Sequence, residues 1–264
     1  MTRSQATLAL LVCLATGVVT AAQNKTAPAK PPKDAAADIN TARADATHAV
    51  FETTEGTWMS VDVSPDGATL VFDVLGDLYT VPVAGGTATP LTRGPAYDYH
   101  PRYSPDGKTI AFTSDENGME NLWLVDADGK NRRAITSEKT AYVRSAAWLP
   151  GGEYLVARRE EAKRAGIPPC ELWLFHRRGG SGIKLTSGDD LNNSSGPVAS
   201  RDGRFIYFAA RPMRFSYDPK TAGGLWQIER FDRTTGERST IASGIGGAAR
   251  PALSPDGATM VYVS

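Results

Sequence analysis

A chain of 264 residues with 41% hydrophobic and 22% charged side chains carries enough apolar material for one or two packed domains. Its 29 basic residues balance 29 acidic ones, so no net field draws it to nucleic acid or to anionic lipid. Partners must be recognised by local chemistry.

The first stretch, MTRSQATLALLVCLATGVVTAA, sets Arg3 before an apolar run from Ala6 to Val19 and ends in small residues. That is the layout of a secretory signal over residues 1–22, and it implies a periplasmic or secreted protein with no membrane association after cleavage. The apolar run is shorter than the roughly 18 to 20 residues that cross a bilayer. Cys13 follows Val12 inside the run, where a lipid-attachment site would need a small residue. Cleavage leaves Cys170 as the lone cysteine, so the mature chain has no internal disulfide and its core is held by packing. Residues 23–50 are rich in Ala, Pro and Lys and poor in large apolar side chains, the composition of a flexible tether.

From Phe51 onward the chain repeats itself. A turn recurs as SPDG at Ser64, SPDG at Ser104, LPGG at Leu149, SRDG at Ser200 and SPDG at Ser254, at successive offsets of 40, 45, 51 and 54 residues. Pro pre-sets the first central position, Asp accepts local hydrogen bonds and Gly closes the turn, so each copy reads as a tight link between strands. Asp66, Asp106, Asp202 and Asp256 are therefore turn formers rather than ligands. The DADG at Asp126 reads the same way, because it lacks the remaining acidic positions of a calcium loop.

A second strand follows each turn as ATLVFDV, KTIAFTS, EYLVARR, RFIYFAA and ATMVYVS, apolar on both faces in places. A third strand is marked by a Leu-aromatic pair: Leu78-Tyr79, Leu122-Trp123, Leu172-Trp173 and Leu225-Trp226. A fourth short strand ends at Leu91-Thr92, Ile135-Thr136, Leu185-Thr186 and Ile241-Ala242. Four strands per unit, a period of about forty residues or more and two-sided burial describe an all-β fold, a β-propeller of four-stranded antiparallel blades. A β-sandwich is the structural rival, disfavoured by the register of the copies. Four blades are complete, about 57–92, 99–136, 144–186 and 196–242, and a fifth half blade ends at Ser264. Because an open ring exposes apolar faces, the propeller over 51–264 is expected to be incomplete, an N-terminal part of a longer protein.

The chemistry-bearing residues are sparse. His48, His100 and His176 stand at no metal-site spacing, and His100, which precedes a strand, and His176, which ends one, are assigned structural or surface roles. No G-x-S-x-G string is present, and the glycine cluster SGIGGAARP has no helix behind it to receive a phosphate. No catalytic residue, metal ligand or cofactor is expected within this chain. Two insertions between the second and third strands, RREEAKRAGIPPC at Arg158 and RPMRFSYDPKTAGG at Arg211, fall on the same side of the blades, opposite the SPDG turns. Long loops on a rigid scaffold are where recognition sits. Arg158, Arg159, Arg211, Met213, Arg214, Phe215 and Tyr217 are the candidate interface residues.

The SPDG blades resemble TolB-type propeller repeats. The wording TEGTWMSVDVSPDGATLVFDVLGDLYTVPVAGG, with ELWLFHRRGGSGIKLT and GIGGAARPALSPDG, is similar to the N-terminal propeller of secreted bacterial amidohydrolases, over about Phe51 to Ser264. That resemblance implies a divalent metal only in a catalytic domain downstream of this chain, with the propeller as its non-catalytic docking or substrate-access scaffold. The downstream domain of the same protein is then the first partner, and periplasmic proteins are others. Two alternatives stand beside it: a periplasmic protein-binding propeller like TolB, and the propeller of a prolyl-oligopeptidase-type serine peptidase.

Overall fold

The computed structural model describes residues 47, 51–162, 170–186, 194–211 and 225–264. Residues 1–46 and 48–50 and part of each insertion lie outside them. The described residues belong to a unit running from Ala37 to Ser264 and contain strands, turns and bends but no helix.

The first sheet is β1 (Val61–Val63), β2 (Thr69–Val74), β3 (Asp77–Pro82) and β4 (Thr89–Pro90); the second is β5 (Asp98–Tyr103), β6 (Thr109–Ser114), β7 (Asn121–Asp126) and β8 (Arg133–Ala134). The third comprises β9 (Ala141–Trp148), β10 (Tyr154–Glu161), β11 (Cys170–His176) and β12 (Ile183–Lys184), and the fourth β13 (Ser194–Ala199), β14 (Phe205–Ala210), β15 (Gln227–Asp232) and β16 (Arg238–Ala242). A two-stranded sheet of β17 (Ala249–Leu253) and β18 (Met260–Val263) follows. In every sheet the strands lie side by side in chain order and antiparallel. These are the blades of a propeller, four complete and one of two strands.

The turn chemistry is literal. Ser64 Oγ donates to Asp66 Oδ1 at 2.6 Å, Asp66 Oδ1 accepts the Ala68 N–H at 3.0 Å, and Ser64 Oγ accepts the Thr69 N–H at 2.9 Å. The same three bonds recur around Ser104, Ser200 and Ser254. They hold all four aspartates below the ordinary carboxylate range, the serine hydroxyl being the first cause. Leu149 cannot make them, and its turn keeps only the backbone pair with Gly152 and Tyr154. The closing glycines have φ near +70°, and a Cβ on Gly107 or Gly203 would stand 3.3 Å from the proline ring of the preceding blade's turn. Glycine is required there both for the backbone and for the close stacking of successive turns.

The core lies between blades, not within them. Along β6, Ile110 and Phe112 pack back onto Val71 and Leu78 of blade one, while Ala111 packs forward with Val143, Leu155 and Phe175 of blade three. Likewise Leu155 and Ala157 of β10 face blade two and Val156 faces Ile206 and Phe208 of blade four. Strand geometry sends alternate side chains to opposite faces, so a strand with neighbours on both faces reads as continuously apolar. Each fully buried Leu, Ile or Phe contributes about 1.5–3 kcal/mol.

The leucine of the third strand is pinned to the end of the fourth. Leu78, Leu122 and Leu172 donate their backbone N–H to Thr92, Thr136 and Thr186 Oγ1, each at 2.9 Å, with both partners buried. Blade four departs from the expected motif. The register Phe208↔Glu229, matching Phe72↔Tyr79 and Phe112↔Trp123, puts Ile228 in the leucine position and Glu229 in the aromatic one. Ile228 is fully buried and packs toward blade five, whereas Leu225 is 46% exposed ahead of the strand. The Leu225-Trp226 pair is thus a coincidence of composition three residues out of register. At the outer faces, Phe72 and Tyr79 of blade one stack at 5.8 Å and are half-buried, with no blade over them among the described residues, and Val261 and Val263 of β18 are exposed.

Replacing Thr136 with Val leaves the buried Leu122 N–H without its acceptor and removes the bond from Thr136 Oγ1 to Asn121 Oδ1. Calorimetry is expected to show a loss of about 1–3 kcal/mol, against about 0.5 kcal/mol or less for the exposed Thr89→Val.

Candidate functional site

The first strands of successive blades stand beside one another and line the axis. The Tyr103 N–H donates to Asp62 Oδ2 at 2.7 Å and Arg102 Nη1 to the Val61 carbonyl at 3.3 Å, joining β5 to β1. Trp148 Nε1 donates to the Arg102 carbonyl at 3.1 Å, joining β9 to β5. Between β13 and β17, Gly196 comes so near that a Cβ on it would lie 3.9 Å from Arg250 Cα.

Four residues before each later turn, these inner strands break register at a left-handed residue: His100 (φ 55°), Ser145 (φ 52°), Gly196 (φ 58°) and Arg250 (φ 54°). Only one is glycine, and the others carry a backbone cost of about 1–2 kcal/mol each. Strain of this kind persists where the surroundings enforce it, and it marks positions to examine for function.

His100 is the best-anchored of the four. Its N–H donates to Asp73 Oδ2 at 2.8 Å, while Asp73 Oδ1 accepts the Ser60 N–H at 3.0 Å. Its Nδ1 lies 3.3 Å from Ser145 Oγ, and its ring packs on Tyr99, which in turn contacts Tyr97. Burial first, then the nearby guanidiniums of Arg102, Arg250, Arg144 and Arg158, push the imidazole down to about 4, so it is neutral at physiological pH.

Around it runs a polar chain. Arg144 pairs with Glu120 and lies over the Tyr142 ring at 4.4 Å. Arg158 Nη2 meets Glu160 Oε2 at 2.5 Å and its Nε approaches Cys170 Sγ at 3.0 Å. Burial raises the Cys170 thiol to about 11, the opposite of what a nucleophilic cysteine requires. Burial and the Glu120 carboxylate likewise hold the Tyr99 hydroxyl above its ordinary value. Glu120 and Glu160 offset Arg144 and Arg158. Arg102 and Arg250 have no carboxylate at ion-pair distance among the described residues, and Arg102 Nη1 instead donates to the Pro101 carbonyl at 2.6 Å.

The sequence-nominated residues distribute differently from expectation. Arg158 and Arg159 are not in a loop: pairing of Glu160 with Cys170 extends β10 and β11 to that point, and Val143 and Tyr142 of β9 continue the ladder on the other side. Arg158 reaches the inner cluster. Its neighbour, on the other face of the strand, pairs with Glu138 at 2.9 Å and Glu161 at 2.9 Å and lies 4.9 Å over Trp173, so Arg159 is a structural clamp. Arg211 follows β14 with its guanidinium 5.0 Å over Trp226. Met213, Arg214, Phe215 and Tyr217 lie outside the described residues. His100, Arg102, Arg144 and Arg250 are not among the candidates the sequence offers, although the position four places before the turn carries a polar side chain in four of the five copies, Ser60, His100, Ser145 and Arg250, with Gly196 in the other. His176 pairs with Glu153 at 3.4 Å at the end of β11.

The model of the TolB β-propeller domain matches residues 32–216. The chain belongs to the TolB β-propeller domain family. Among solved structures, this TolB-family chain is similar to a putative TolB from Agrobacterium tumefaciens, with a TM-score of 0.63 and 25% identity over 77% of this chain and 68% of that one. TolB from Acinetobacter baumannii shares the fold with a TM-score of 0.56 at 21% identity, over 76% and 47% of the two chains. The uncharacterized peptidase YuxL of Bacillus subtilis is 27% identical over 155 residues, 47% of this chain and 23% of that protein. This chain spans about a quarter of the length of the curated relatives it matches, 26% of an uncharacterized protein of Agrobacterium fabrum and 23% of YuxL.

His100 ties the site to acid stability. Its folded value lies below the unfolded 6.5, so the contribution is full above about pH 6.5 and is lost as pH falls toward 4. The depressed turn aspartates lose theirs only below their ordinary 3.8. Melting curves are expected to show a loss on the order of 1–3 kcal/mol between pH 6.5 and 4 that is absent in His100→Asn, whose side chain tolerates the left-handed backbone.

Proposed function

We propose that this chain is a non-catalytic propeller module of an exported, metal-dependent amidohydrolase, docking on or restricting access to a catalytic domain downstream. The observation that carries the reading is the placement of the connections between second and third strands. The strand ends that carry them lie on one side of the blades, opposite the turn ring, and the connecting sequences lengthen from the Leu75-Gly76 pair in blade one to the span between Ala210 and Gln227 in blade four. A scaffold whose apolar residues are consumed between blades presents variable loops on one side, the arrangement of a recognition surface. The faces at Phe72 and Val261, uncovered among the described residues, support a ring completed by further blades of the same protein. The resemblance of the blade sequences to amidohydrolase propellers supports the nature of the partner, and the apolar run at Ala6–Val19 supports export to the periplasm or beyond.

A second reading, favoured by the likeness to TolB structures, is a periplasmic propeller whose whole task is to hold protein partners. A third, favoured by the peptidase relative, is the propeller of a prolyl-oligopeptidase-type enzyme. In all three the propeller binds and the chemistry resides elsewhere.

The purified chain is expected to show no metal-dependent hydrolysis, and robust turnover would refute the reading. The gene beyond Ser264 is expected to encode an H-x-H barrel pattern; a stop soon after ring closure favours the second reading and G-x-S-x-G the third. Replacing Arg214 and Phe215 with Ala is expected to weaken docking to the downstream domain at least tenfold, about 1.4 kcal/mol, with the melting temperature held. Variants that melt far earlier than wild type would make the loop structural instead.

A further inference from the structure

Of the four guanidiniums on and beside the inner strands, Arg102 and Arg250 have no carboxylate at ion-pair distance among the described residues. Arg144 and Arg158 are matched by Glu120 and Glu160, and Asp73 is engaged by the Ser60 and His100 backbone. Asp62 accepts the Tyr103 N–H and faces Arg102 without reaching ion-pair distance, and burial holds its carboxyl above the ordinary range. Arg250 is exposed and makes no ion pair or side-chain hydrogen bond among the described residues. Beside these stand two neutral polar groups, the His100 imidazole and the Ser145 hydroxyl, 3.3 Å apart. The strained backbone at His100, Ser145 and Arg250 turns the same position of three inner strands.

We propose that the inner-strand cluster of His100, Arg102, Ser145 and Arg250 is a carboxylate-binding site that receives an acidic side chain of a partner polypeptide. Planar guanidinium forks match a carboxylate in two parallel hydrogen bonds. Phosphate sites are built instead on runs of backbone N–H groups at helix ends or glycine nests; no helix occurs among the described residues, and in the glycine run before Arg250 the Gly247 and Ala248 N–H groups donate to the Gly244 and Trp226 carbonyls. The polypeptide nature of the ligand rests on the docking reading above; the carboxylate site itself does not.

The experiment titrates the full chain at low salt with acetyl-tetraglutamate amide, its tetraglutamine counterpart, citrate and inorganic phosphate, by calorimetry. The glutamate peptide and citrate are expected to bind wild type, the glutamine peptide not. Arg250→Gln is expected to lower both affinities tenfold or more, Arg250→Lys to recover part of the loss, and the exposed Lys108→Gln in the turn ring to change neither. Unchanged melting temperatures establish that the variants fold. Citrate binding that depends on Arg250, without peptide binding, keeps the carboxylate site and sinks its polypeptide ligand. Equal binding of both peptides regardless of Arg250 overturns the site and leaves docking standing. No binding of either carboxylate, stronger binding of phosphate than of citrate, or equal losses in Arg250→Gln and Lys108→Gln overturns the proposal.

Discussion

The structure depends on strands that are buried on both faces. A blade's second and third strands send alternate side chains to two neighbours, so Phe112 and Trp123 belong to the contact with blade one and Ala111 and Leu122 to the contact with blade three. No blade has a core of its own. Each is stable only as one layer of a stack, and the free energy of folding is concentrated in the inter-blade clusters.

Everything polar is arranged around that constraint. The side-chain hydroxyls of Thr92, Thr136 and Thr186 satisfy backbone donors where the short fourth strand stops, and the Ser-Asp pairs of the turns satisfy donors at the opposite end. Charges that enter an interface do so as clamps. Arg132 holds the buried Asp98 at 2.6 and 3.0 Å, pairs with Glu116 and lies about equally over Phe112 and Trp123, combining ion pair and ring contact on blade two's face toward blade one. A guanidinium serves there because its charged edge and its apolar faces act in different directions.

The inner strands are the exception, and that is why a site can arise there. They meet edge to edge around the axis, so their inward side chains are not claimed by the inter-blade clusters. Polar and cationic residues accumulate: His100, Arg102, Arg144, Ser145 and Arg250. Because His100 is kept neutral by burial and its cationic neighbours, the cluster gains a hydrogen-bonding group without a further positive charge.

The sequence by itself determined the blade. Turn, doubly apolar second strand, leucine-led third strand and short fourth strand are local patterns, and each follows from backbone sterics or from a period of two, so the repeat and the propeller architecture were legible in it. Local resemblance failed where composition imitated register: Leu225-Trp226 looked like the motif, but Ile228-Glu229 holds those places, because the ladder with β14 sets the pairing and the insertion before it does not count residues. Arg158 and Arg159 looked like loop residues because charge interrupted an apolar strand, yet cross-strand pairing carries β10 through them, one side chain to each face. The cluster at the axis was decided by tertiary structure alone. Its members come from three blades, up to 150 residues apart between His100 and Arg250, and only the stacking of the blades around a common axis brings such charges into one another's field.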